Sequence, residues 1–344
     1  MMKVLVPVLC VLVLLGACDS GEKASGTTTE GEHTELIFSH FFPANHIQET
    51  ELVQGFIDEI EEATEGRVTF TSYPGGQLAD PDGHYEAAAT GVADAGFSVH
   101  SYTPGQFPLS SVMELPFMSG SGTEGSETLW ALYEEFPEVQ DEYSDTVPLW
   151  LSTSEPGYIF TVDEPVESPE DLQGMIIRSP SPEVNQWLEM MGATPVSMPM
   201  GDTYQALEQG VVDGTVGPPH TLVDYGLQEL VDYVTVGNFY MTTFFAVMNQ
   251  EAWDSIGEQD QEAIEKITGE NTANVAGTII DDRAEEAMIA AEEAGAEMIE
   301  LDDEQLDEWE EEVQPVIDNW IERMEEEGLP GEEVYDRALE LGAE

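Results

Sequence analysis

Residues 85–94 read YEAAATGVAD and residues 204–213 read YQALEQGVVD. Tyr85, Ala87, Gly91, Val92 and Asp94 of the first stretch match Tyr204, Ala206, Gly210, Val211 and Asp213 of the second at the same offsets. Each stretch reads as a helix closed by a C-terminal glycine and followed at once by a strand. Glycine suits that place because it enters the left-handed region without a Cβ clash. Each also lies downstream of a glycine followed by a β-prone run, residues 66–73 and 174–179. Generic helix–glycine–strand chemistry is the competing explanation of so short a match. The favoured reading is two lobes of related topology, with a ligand held in the cleft between them.

Outward from the repeat, strands and helices alternate. Residues 35–42 are a strand candidate. Residues 47–63 carry Ile47, Leu52, Val53, Phe56, Ile57 and Ile60 at helical spacing. Gly66 stops that helix, residues 68–73 are β-prone, and Pro74-Gly75-Gly76 is a turn. The pattern continues past residue 240 and predicts an α/β fold with helices covering sheets. From about residue 251 the chain is expected to be mainly helical, with helices over 285–299 and 304–327, Asp302 or Asp303 capping the latter, and a short last helix after Leu329-Pro330-Gly331.

The chain has 344 residues with 72 Asp+Glu against 8 Lys+Arg, a formal net charge of -64. Its 41% hydrophobic content and dispersed aromatics mark a folding chain rather than an acidic disordered one. So acidic a surface repels other copies of itself and is tolerated in concentrated salt, where screening is short-ranged. A salt-loving source is therefore expected. Nucleic acid is excluded as a partner, because phosphate contacts need cations.

Both cysteines, Cys10 and Cys18, lie near the N-terminus, so the body has neither a disulfide framework nor a thiolate metal site. The apolar run 4–15 is too short for a membrane span and ends in Leu15-Gly16-Ala17-Cys18. It reads as an export signal over 1–17 with Cys18 as the lipidated residue, the alternative being an ordinary secretory signal. Residues 18–34 follow as a polar tether. The expected location is the periplasm or cell surface, with anchoring to the cytoplasmic membrane by lipid alone.

The chain resembles the solute receptors of tripartite ATP-independent periplasmic (TRAP) transporters, of the dicarboxylate-receptor (DctP) type. The resemblance rests on Tyr73-Pro74-Gly75-Gly76-Gln77-Leu78, Gly91-Val92-Ala93-Asp94, Phe107-Pro108-Leu109, Glu114-Leu115-Pro116-Phe117, Pro165-Val166, the run 169–178, Gly192-Ala193-Thr194-Pro195-Val196, Gly210-Val211-Val212-Asp213-Gly214 and Val247-Met248-Asn249, in family order over roughly 35–270. It implies a two-lobed periplasmic-binding-protein fold with crossing segments and a long inter-lobe helix. Lobe I would comprise 35–155 and 244–283, and lobe II 156–243 and 284–344. It further implies capture of a small organic acid by lobe closure and delivery to a permease of one small and one large membrane subunit.

Arg178 is the expected centre of the site. It ends the apolar run Gly174-Met175-Ile176-Ile177, and between residues 24 and 265 the only Lys or Arg are Arg67 and Arg178. A guanidinium fork at a strand end suits bidentate carboxylate binding; a structural ion pair with one of the many acids is the alternative. The resemblance implies that Arg178 clamps the ligand carboxylate. It also implies that Tyr158, Ser181, Met200 and Gly217 line the pocket from one lobe and Phe41, Ser98 and His100 from the other. Tyr158 stands where some receptors carry a second Arg, and Gly217 where several carry Asn, which favours a monocarboxylate with an apolar tail.

Five histidines (His40, His46, His84, His100 and His220) fall near the expected cleft. None has metal-ligand spacing, so neither a metal nor another cofactor is expected. Gly120-Ser121-Gly122-Thr123-Glu124-Gly125 matches G-x-G-x-x-G but follows no clear strand, which argues against a dinucleotide site. Carboxylate pairs are too abundant to single out a hydrolase, and no nucleophile elbow occurs. The chain is therefore read as a non-enzyme. The alternatives are a sensory ligand-binding protein of the same fold and an envelope hydrolase.

Overall fold

The computed structural model describes residues 33–342. The export signal, Cys18 and most of the tether lie outside the described residues.

The repeated decapeptide adopts the same structure twice. Helix His84–Ala89 ends at Gly91 (φ 74°), and helix Thr203–Glu208 ends at Gly210 (φ 64°). The next residue closes each helix identically: Val92 N–H donates to the Ala87 carbonyl and Val211 N–H to the Ala206 carbonyl, both at 2.8 Å. Strands β3 (Ala95–Val99) and β8 (Gly214–Gly217) follow. The repeated aspartates have one job. Asp94 accepts from the Ile37 N–H of β1 (Thr34–His40), and Asp213 from the Ile176 N–H of β6 (Ile176–Ser179), both at 2.7 Å. Each carboxylate thus pins its helix–strand turn to the neighbouring parallel strand.

Two mixed sheets are built around these units. The first adds β2 (Val68–Tyr73), β4 (Thr146–Thr153) and β10 (Thr243–Asn249), in the order β2-β1-β3-β10-β4, with β10 antiparallel to both neighbours. The second adds β5 (Tyr158–Thr161), β7 (Thr194–Ser197), β9 (Tyr233–Val236) and β11 (Glu297–Glu300), in the order β11-β9-β5-β8-β6-β7. The chain leaves the first sheet after β4, returns to it at β10, and leaves again through the helix Glu270–Ala294. That helix has 25 residues and is about 37 Å long. Its Ala276 and Ile280 pack with the core of the first sheet, and its Ala287 and Ala291 with that of the second. Among the described residues no helix is long and apolar enough to cross a membrane.

Residues 120–125 form the start of helix Gly122–Glu135, not a nucleotide loop. Ser121 caps it, and Asp281 of the long helix accepts from the N–H groups of Gly122 (2.6 Å) and Thr123 (2.9 Å). A Cβ on Gly277 would stand 2.5 Å from the Gly122 carbonyl oxygen, so glycine is needed where these helices touch.

Several local boundaries differ from expectation. The first strand ends at His40, and the first helix starts as a π-helical turn, Gln48–Val53, before Gln54–Ala63. The expected helix over 285–299 is the end of the long helix, which stops at Ala294 because Gly295 turns left-handed (φ 112°). Residues 297–300 instead pair with β9, a partner over 60 residues earlier that local periodicity does not reveal. The other C-terminal helices match: Asp302 caps Asp303–Glu326, and the last helix is Gly331–Leu341.

Candidate functional site

Arg178 sits on β6, whose apolar neighbours carry it fully into the interior at 0% exposure. Its Nε and Nη2 donate to the Met198 carbonyl (3.0 and 2.8 Å) and its Nη1 to the Val216 carbonyl (3.1 Å). Nη2 also donates to the Tyr102 hydroxyl at 3.4 Å. All of these acceptors are neutral. Arg67, Arg283, Arg323 and Arg337 are ion-paired to Asp260, Asp224, Glu183 and Glu135. Among the described residues Arg178 has no carboxylate partner, which disposes of the structural ion pair. A buried guanidinium in so acidic a chain is therefore left with its charge uncompensated. Burying a charge that way is costly unless an anion arrives to pair with it.

The space beside it suits such an anion. Arg178 lines a narrow cavity between residues of the first sheet's side and residues of the second's. Phe41, Phe42, Phe244, Tyr225 and Tyr240 make its walls aromatic. Tyr102 joins the two sides. Its hydroxyl accepts from the Met200 N–H (2.9 Å) as well as from Arg178, so its own proton is free to donate into the cavity. Guanidinium and phenol side by side form a receptor for one carboxylate, with an apolar chamber behind it.

Two histidines, His46 and His220, also line the cavity. Glu155 accepts from both the backbone N–H (2.8 Å) and Nδ1 (2.9 Å) of His220. Burial opposes protonation of His220, but the charge of Glu155 and the hydrogen bond to it prevail and raise its pKa. Burial lowers His46 well below its ordinary value, helped by the nearby charges of His220, His40 and Arg283. His46, His220 and Asp224 each place a potential ligand atom within 4.8 Å of the others. They do not fit a metal. The Gln48 N–H donates to His46 Nδ1 (3.1 Å), which puts the ring proton on Nε2 and removes the lone pair facing Asp224. Arg283 engages Asp224 through Oδ1 at 2.7 Å, so only Oδ2 is turned toward the histidines.

Of the residues expected at the site, Arg178, Met200 and Phe41 are together at the cavity. Gly217 lies behind Met200: a Cβ there would meet the Met200 methyl at 3.1 Å. Tyr158 pairs in register with Gly217 on β5 and is not among the lining residues. Ser181 caps helix Pro182–Met190 through the Val184 N–H. Ser98 donates to the Pro81 carbonyl. His100, lowered by burial to about 3, shares a 2.6 Å hydrogen bond with Tyr143 and lines a different cavity, beside Glu114. Tyr102, Tyr225 and Tyr240 were missed, because nothing in their local sequence separates a cavity tyrosine from a core one. His46 and His220 carried a signal only as polar residues beside Phe-rich and Pro-rich turns.

Residues 38–323 match the family described as bacterial extracellular solute-binding protein, family 7 (DctP). The chain is 26% identical over 333 residues, 95% of each chain, to an outer membrane transporter protein, TsaT, of Comamonas testosteroni. A TRAP solute-binding protein from Rhodoferax ferrireducens, solved with copurified benzoate, superposes with a TM-score of 0.87 at 26% identity, covering 90% of this chain and 98% of that one. A marine metagenome TRAP solute-binding protein, solved with 3-hydroxybenzoate, superposes with a TM-score of 0.87 at 28% identity, covering 91% and 98%. With the two-lobed fold, the crossing strands and the charged cleft, these matches show that the chain belongs to the DctP family of TRAP solute-binding proteins.

Proposed function

We propose that this protein is the extracytoplasmic receptor of a TRAP transporter and that its ligand is an aromatic monocarboxylate. The carrying observation is Arg178, a buried cation without a carboxylate partner at the head of an aromatic chamber. Arg178 with Tyr102 would hold the carboxylate; Phe41, Met200 and the aromatic walls would hold the ring. The narrow chamber and the single unpaired guanidinium favour one carboxylate over two. The benzoate and 3-hydroxybenzoate bound by the two structural relatives support the same class.

In this reading the loaded receptor delivers its acid to the small and large permease subunits and performs no catalysis. Cys18 carries the lipid anchor, residues 35–155 with 244–283 and 156–243 with 284–344 act as the two closing lobes, and the source is salt-loving. Calorimetric titration with benzoate tests the ligand class. One-to-one binding is expected in the wild type, with a loss of about 100-fold or more in Arg178→Gln. Dicarboxylates binding in preference to benzoate would overturn it.

A further inference from the structure

A second set of polar atoms, which the carboxylate clamp does not use, lies at and just behind the cavity wall: His46 and His220 line it, and Asp224 lies behind them. His46 is wholly buried and lines the cavity, and its Nε2 has no hydrogen-bond partner in the protein. Asp224 Oδ2 is likewise buried and unpartnered, 3.9 Å from that nitrogen. At this separation the two do not bond to each other. Their roles are set from outside. The Gln48 N–H donating to Nδ1 makes His46 Nε2 a donor, and Arg283, donating to Asp224 Oδ1, leaves Oδ2 as the acceptor. His220 packs edge-on against His46 with ring centroids 5.5 Å apart. Its Nδ1 donates to Glu155, whose negative charge favours the protonated ring, and in that form Nε2 is a second donor.

A hydroxyl oxygen donates one hydrogen bond and accepts two. The cluster offers one acceptor, Asp224, and two donors, His46 and His220. We propose that His46, Asp224 and His220 form a subsite that reads a hydroxyl group on the ligand, so that the preferred ligand is a hydroxylated aromatic acid. This rests on the aromatic-acid reading and deepens it. Discrimination follows from burial: an unsubstituted acid leaves the buried Nε2 and Oδ2 unpaired, and unpaired buried polar atoms cost more than a neutral hydrogen bond returns. Glu155 and Arg283 act as positioning residues, since each orients a member of the cluster.

The experiment is calorimetric titration of the purified protein with benzoate and with its 2-, 3- and 4-hydroxy isomers. At least one isomer is expected to bind about tenfold or more tighter than benzoate. In His46→Phe and in Asp224→Asn that preference is expected to fall below about threefold. The wild-type comparison stands even if a variant fails to fold. The inference is overturned, with the aromatic-acid reading intact, if wild type binds benzoate and no isomer exceeds it by about threefold, or if the preference survives in both variants. If none of the four acids binds, the aromatic-acid reading and the inference fall together.

Discussion

Glu114 is a carboxyl placed where ionisation is costly. It is 1% exposed, its Oε1 accepts from Thr243 at 2.7 Å, and its Oε2 has no partner. Burial, with the charge of Glu183 next, raises its pKa from 4.5 to about 8. Between those values the folded protein holds a proton that the unfolded chain has released, so stability falls as pH rises through the window. The expected outcome is that from pH 5 to pH 8 the Tm of wild type falls relative to that of Glu114→Gln, which cannot ionise, the contributions of the buried histidines being common to both. Parallel profiles in thermal denaturation would show that Glu114 does not carry the effect. At Arg178 the readouts of binding and stability should separate. Replacing it by Gln removes a buried charge that no protein anion compensates, so ligand affinity is lost while the Tm of the unliganded protein does not fall.

At the scale of elements, the joint between helices Gly122–Glu135 and Glu270–Ala294 joins the helical layer of the first sheet to the helix that reaches the second. Asp281 satisfies two N–H groups and the Thr123 hydroxyl at the start of the shorter helix. Asp281→Ala leaves those donors to solvent or unpaired, and a loss of about 1–2 kcal/mol in urea-unfolding free energy is expected. A change within about 0.3 kcal/mol would mean that Ser121 alone suffices as the cap. The same joint explains residues 120–125, whose glycines serve helix contact rather than a pyrophosphate. Helix–glycine–strand turns were legible in sequence because glycine at positive φ and apolar periodicity are local properties. Strand β11 was not, because its apolar pattern is short and its partner lies far away in the chain.

Most of the acids among the described residues lie on the outside of the molecule. With 72 acids against 8 Lys+Arg, self-repulsion opposes the compact state at low ionic strength. Raising KCl from 0.05 M to 2 M shortens the screening length to a few ångströms and is expected to raise the Tm by roughly 10 °C, a few kcal/mol for a chain of this size. A flat Tm over that range, followed by differential scanning calorimetry, would show that the surface acids are spaced widely enough not to repel. The same field makes Arg178 informative: four of the five arginines pair with acids, and the remaining one is folded away from them.

The sequence by itself determined the α/β class, the doubled helix–glycine–strand unit, the family and the one cation worth following, because each depends on residue type, local periodicity or spacing along the chain. Only the tertiary structure decided which residues surround that cation. It brought Tyr102, His46, His220 and Tyr240 to the cavity and left Ser98, His100, Ser181 and Tyr158 elsewhere. A side chain's direction at a strand end or in a turn depends on long-range pairing, which spacing along the chain does not encode.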